Sequence, residues 1–314
     1  MGGEGSLHTV KCIREGRGTN VDWTPGGVSG DIEDRRDSSD GFQLGGGGGL
    51  GIVGFLALLV IGLVTGHNFL GGLVSGGGAP APAPYSEQAA MAPQHQSHSP
   101  AEDHDVQLIS FVLDDVQKTW TQIFTANGRT YRHAKLVLYR GSTYSGCGTA
   151  RAATGPFYCP QDEKVYIDLS FWDELKRFGG STAEFAQAYV IAHELGHHVQ
   201  KLLGIESKEQ HAVAADPGDR NPLSVDTELQ ADCFAGVWAH STEQRGIVHR
   251  ADIAAALNAA AAVGDDHLQH MSGRAISPES WTHGSSAERQ HWFEAGLDGG
   301  KVSNCPTFNG KLAP

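Results

Sequence analysis

His193-Glu-Leu-Gly-His197 is the stretch on which the reading of this chain turns. Ser181-Thr-Ala-Glu184 precedes it in the pattern of a capping box, and Gly204 follows where a helix could stop. The spacing predicts a helix from Ser181 to about Leu203. Residues four apart on a helix share a face, so both imidazoles can reach one ion. Neutral imidazole suits zinc. Glu194 lies about 100° round the helix from His193, beside such an ion and free to hold a water. A surface helix with incidental histidines is the competing reading of this motif taken alone.

Working outward, Ser224-Val-Asp-Thr-Glu-Leu-Gln-Ala-Asp232 opens a second helix, expected near 225–240. Glu228 and Asp232 again lie four apart. Glu228 is the candidate third ligand, leaving an open position for water. Asp232 is the candidate acceptor for the free ring N–H of a ligating histidine. A solvated acidic face fits poorly, because Cys233, Phe234, Ala235, Val237 and Trp238 mark this helix as buried, and carboxylates entering a core need a cation.

Further periodicity predicts a helix over 104–125, strands at 135–140 and 164–169, a loop at 205–223, an Ala-rich helix near 251–263 and a capped helix near 285–297. His283, in a small polar turn before that last helix, is a candidate donor to an oxyanion, with a surface or helix-capping role as the alternative. His198 points away from the metal face and is expected to be packed or solvated.

The N-terminal third has another texture. Residues 1–48 show no apolar period and read as a disordered tail. Residues 49–74 hold no charged side chain, enough to cross a bilayer as one helix. A signal peptide is weakened by the long polar lead and the missing basic start. A buried soluble helix is weakened by the glycines. Arg35 and Arg36 before the span, with no base after it until Lys118, predict a cytoplasmic N-terminus and a periplasmic or extracellular domain. The Pro-, Gly-, Ser- and His-rich segment 75–103 reads as a spacer, and 104–314 as the folded domain. The net charge is −13, from 36 acidic and 23 basic residues, which argues against nucleic acid as a partner. Outside a membrane disulfides are allowed. Of the three pairings open to four cysteines, Cys147–Cys159 with Cys233–Cys305 is expected, leaving Cys12 in the tail.

His193-Glu-Leu-Gly-His-His-Val-Gln200 together with Glu228-Leu-Gln-Ala-Asp-Cys-Phe-Ala-Gly-Val-Trp238 resembles the neutral zinc metallopeptidase family of bacterial, membrane-anchored proteins. The resemblance also takes in Asp31-Ile-Glu-Asp-Arg-Arg36, Cys147-Gly148, Gly155-Pro-Phe-Tyr-Cys-Pro160, Val165-Tyr-Ile-Asp-Leu169 and Thr282-His-Gly-Ser-Ser286. It implies an α+β, zincin-like domain that holds Zn2+ and cleaves a peptide or protein substrate. It also implies that strand 164–169 forms the lip along which an extended peptide adds. The expectation is therefore a zinc peptidase anchored by one transmembrane helix, with Glu194 as general base. The rivals are a zinc-stabilised binding or scaffold module without turnover, and a metal-dependent hydrolase of other amides or esters.

Overall fold

The computed structural model describes residues 21–37, 99–151 and 154–312, a mixed α+β fold. Its four-stranded sheet runs β1 (Ile32–Asp34), β2 (Lys135–Tyr139), β6 (Lys164–Asp168), β5 (Phe157–Cys159). Strands β2 (Lys135–Tyr139) and β6 (Lys164–Asp168) are parallel, with Val137 opposite Tyr166. The three residues of β1 (Ile32–Asp34) pair in parallel with β2, and β5 (Phe157–Cys159) pairs antiparallel with β6. Strands β3 (Ser142–Ser145) and β4 (Gly148–Arg151) form a separate hairpin.

Helices cover this sheet and carry the chemistry. Helix α1 (Pro100–Ala126) starts four residues before its expected onset, because Ser99 and Glu102 close a capping box with Pro100 in the first turn. Then follow α2 (Phe171–Arg177) and α3 (Glu184–Leu203). The capping box expected at Ser181 does not form: Ala183 is the N-cap, and the Glu184 carboxylate instead accepts the Val21 backbone N–H at 2.9 Å and meets His104. Gly204 ends α3 in the left-handed conformation at φ 77°.

Residues 205–223, expected to be a loop, are mostly helical. Helix α4 spans Ile205–Ala215, and α5 begins at Arg220 and runs to Gln244. Pro222 falls in the first turn of α5, where proline loses no intrahelical hydrogen bond. Helices α6 (Arg250–Ala262), α7 (Asp265–Met271) and α8 (Ser286–Gly299) complete the fold, the last with the expected Ser285–Glu288 capping box. Trp120, Phe185, Tyr189, Phe234, Trp238 and Phe293 fill the core between them.

Two close approaches position the site. A Cβ on Gly196 would stand 3.1 Å from Ala231 Cα, so α3 and α5 cross where the histidines of one meet the acids of the other. A Cβ on Gly296 would stand 2.0 Å from the Cys233 carbonyl oxygen, and one on Gly236 2.1 Å from that of Phe293. Only glycine lets α8 lie this close on α5. Cys147–Cys159 and Cys233–Cys305 are both bridged, the expected pairing.

The N-terminal segment corrects the expected domain map. Residues 21–37 are not a detached tail: Val21 is in the core, Arg35 N–H donates to the Leu138 carbonyl at 2.7 Å, and Lys164 Nζ meets Glu33 at 2.7 Å. Three charged-flanked residues give no periodic signal; their strand is made by its partner. The expected span 49–74 lies outside the described residues, and among the described residues no helix is long and apolar enough to cross a membrane. The sheet nonetheless constrains topology. Strand β1 precedes 49–74 and β2 follows it, and hydrogen-bonded strands share one side of any membrane. Val28 and Ile276 are exposed at 62% and 57%. With Cys12 replaced by Ser, cysteines introduced at these two positions should react alike with an impermeant maleimide in oriented membrane vesicles. Labelling of one from each face would refute the pairing.

Candidate metal centre and active-site cleft

Helix α3 presents His193 and His197, and α5 presents Glu228, to one point. Among the described residues these three form the one group able to hold a metal ion, their ligand atoms all within 4.8 Å of one another. His193 Nε2 is 3.2 Å from Glu228 Oε2, and His197 Nε2 is 3.5 Å from Glu228 Oε1. Zinc bonds of about 2.0–2.1 Å arranged tetrahedrally place neighbouring ligand atoms about 3.3 Å apart, so the donor set fits zinc.

The partners behind the ligands fix both tautomers. His193 Nδ1 is 2.8 Å from Asp232 Oδ1, which as a carboxylate can only accept, so Nδ1 carries a proton and Nε2 is the nitrogen turned to the site. Gln200 does the same for His197. Its Nε2 donates to the Thr227 carbonyl at 2.8 Å and to Gln230 Oε1 at 3.1 Å, which turns Oε1 toward His197 Nδ1 at 2.9 Å. Gln230 in turn donates to the Cys305 carbonyl, beside the second disulfide.

Asp232 is completely buried and anchors a wider network. Arg289, from α8, donates Nε to Asp232 Oδ2 at 2.8 Å and Nη2 to Oδ1 at 3.0 Å, while the Tyr189 hydroxyl donates to Oδ1 at 2.5 Å. Burial raises the Asp232 acid, but the Arg289 charge and the His193 ring outweigh it and hold the pKa below the ordinary value. Burial alone would depress His193; Asp232 and Glu228 instead lift its pKa to about 10. The site therefore demands a cation, which a metal ion supplies as well as a proton does. Glu228 is held far below the carboxylate range, against burial, mainly by His197 and His193. Glu194 behaves oppositely: burial dominates and raises its pKa, with the two histidines opposing.

His283 lines the same cleft. Asp265 Oδ2 accepts the backbone N–H groups of Thr282, His283 and Gly284 at 2.8, 2.6 and 3.0 Å, and Asp265 Oδ1 lies 3.5 Å from His283 Nδ1. One buried carboxylate thus fixes the turn and faces the ring. Burial works against the charged ring, but Asp265 and Glu228 keep its pKa above the ordinary value. His198 is packed, between the Tyr158 hydroxyl and the Arg132 carbonyl.

The cleft occupies about 410 Å³. Glu194, His193, His197, Glu228, His283 and Arg289 line it, with Phe157 and Tyr158 of β5 along another part. Strand β6, expected to form the lip, lies inside the sheet between β2 and β5; the edge that borders the cleft is β5. Tyr189, Gln200, Asp265 and Arg289 were not predicted. Only Gln200 left a local signal, three residues beyond His197 on the same helix face.

Residues 21–308 match the family described as "Putative neutral zinc metallopeptidase". The uncharacterized protein YpfJ of Escherichia coli (strain K12) is 47% identical over 294 residues, 91% of this chain and 98% of that protein. The uncharacterized protein Rv2575 of Mycobacterium tuberculosis (strain ATCC 25618 / H37Rv) is 44% identical over 190 residues, 57% of this chain and 64% of that protein. No solved structure matches.

Proposed function

Since the chain belongs to this neutral zinc metallopeptidase family, we propose that it hydrolyses peptide bonds in the cleft between α3 and α5, with Glu194 as its general base and a zincin-like arrangement of helix and edge strand. The observation that carries the reading is the meeting of His193, His197 and Glu228 at zinc-ligand spacing, with Glu194 beside them.

His193, His197 and Glu228 would hold the zinc, and Asp232 and Gln200 would keep both imidazoles in the ligating tautomer. Zinc at such a donor set supplies Lewis-acid activation of water and of the scissile carbonyl. Glu194 takes the proton of the attacking water and delivers it to the leaving amine. His283, held by Asp265, donates to the oxyanion that develops on the carbonyl oxygen. An extended peptide adds along the free edge of β5, where backbone hydrogen bonds hold it without reading its sequence.

The two disulfides favour an oxidising compartment, periplasmic or extracellular, for the domain. We propose membrane attachment through 49–74 from its uncharged sequence, and both flanks on the domain's side from the pairing of β1 with β2. The test is a digest of a synthetic peptide library by the full chain. Cleavage that a chelator stops and zinc restores supports the reading. Cleavage indifferent to chelator contradicts it, and zinc binding without cleavage favours the scaffold alternative.

A further inference from the structure

The cleft holds one carboxylate that the proposed chemistry does not use and the fold does not neutralise. Helix α4 contributes Glu206 and Glu209 to the lining. Glu206 has a counter-charge, Lys201 Nζ at 3.3 Å, and also accepts the Gln210 amide at 2.9 Å. Glu209 is half-buried, and its Oε2 accepts the Thr227 hydroxyl at 2.9 Å. The largest charge effects on it come from Glu228, Glu206 and Asp226, all acidic. Burial above all, with those neighbours adding and the Thr227 hydroxyl opposing, pushes its pKa up to about 7.

A desolvated carboxylate without a counter-charge is costly in a finished core. Here it stands on the wall of an open cleft, where an arriving ligand can complete it. Thr227 is next to Glu228 in α5, so the carboxylate borders the metal site. The cleft's arginine does not serve it, because Arg289 is committed to Asp232. With Oε2 taken by Thr227, Oε1 has no hydrogen-bond partner among the described residues. That suits an ammonium, a compact point charge, better than the planar two-donor fork of a guanidinium.

We propose that Glu209 is the specificity-determining residue of the cleft and selects a primary ammonium on the substrate close to the scissile bond, from a lysine side chain or from the peptide's own N-terminus. This rests on the peptidase reading above. The apolar and aromatic remainder of the lining, Phe157, Tyr158, Phe171 and Leu175, then accommodates uncharged neighbours on either side of that group.

The test uses the full-length Glu194→Gln protein loaded with zinc, so that peptides are held and not cut. Four peptide pools with equal random flanks are offered: N-acetylated with central lysine, N-acetylated with central arginine, N-acetylated with central norleucine, and norleucine with a free α-amine. Capture of the lysine pool or the free-amine pool about 10-fold or more above the acetylated norleucine pool is expected, with arginine weaker than lysine. Whichever ammonium pool is captured identifies the source. Adding Glu209→Gln should bring that ratio close to one while zinc content and thermal unfolding stay unchanged. Equal capture of all pools, capture of none, or a preference that survives Glu209→Gln overturns the proposal. Failure of the peptidase reading shows separately, as wild type that holds no zinc or cuts none of the pools, and it takes the proposal with it.

Discussion

The Glu194→Gln protein should keep its zinc and lose about 10²–10⁴-fold of its turnover, the range that a positioned acid-base group supplies. Glu194 is 8% exposed, lines the cleft and stands outside the group of atoms that can ligate the ion. Its raised pKa brings it closer to the working range of a group that both accepts and returns a proton. Glutamine preserves the shape and cannot take the proton. Turnover and zinc content measured on one preparation decide the matter. A binding module would show no change in its function, and wild-type turnover with zinc bound would remove Glu194 from the mechanism.

The second large effect is on stability. Arg289→Met should cost about 3–5 kcal/mol, the penalty for leaving one member of a buried ion pair alone. Arg289 is 3% exposed and its bidentate pairing with Asp232 is joined by contacts to the Tyr189 hydroxyl at 3.3 Å and the Val263 carbonyl at 3.4 Å. Methionine leaves little empty volume, so the loss is electrostatic. Neutralising the orphaned acid as well, in Arg289→Met/Asp232→Asn, should recover part of it. Denaturant unfolding of the metal-free proteins measures both. A loss under about 1 kcal/mol for the single change would mean that water or another cation already serves Asp232.

The contrast between these two residues shows where the sequence is readable. Glu194 belongs to a pattern of fixed spacing on one helix, as do His193 with His197 and Glu228 with Asp232. Helical geometry converts such spacing into a shared face, so these residues were legible without any tertiary information. Arg289 reaches Asp232 only because glycines at 236 and 296 let two helices touch, a relation spread over more than fifty residues. Asp265 holds His283 by the same kind of long-range contact. Helix α4 was hidden for another reason. Gly204, Pro217 and Pro222 read as breakers, yet each sits at a helix end or in a first turn, where glycine and proline are compatible with helix. Strand β1 was hidden because its order comes from distant partners, β2 above all. That omission mattered most, since it turned a folded part of the domain into an apparent tail.

The measurement that tests the central claim most directly is zinc content of the full chain at neutral pH, wild type beside Glu228→Ala. The account predicts about one tightly held zinc per wild-type chain, since two imidazoles and one carboxylate complete the catalytic donor set, and almost none after the substitution. A wild-type chain that holds no zinc from excess, or a Glu228→Ala chain that keeps its full complement, would contradict it.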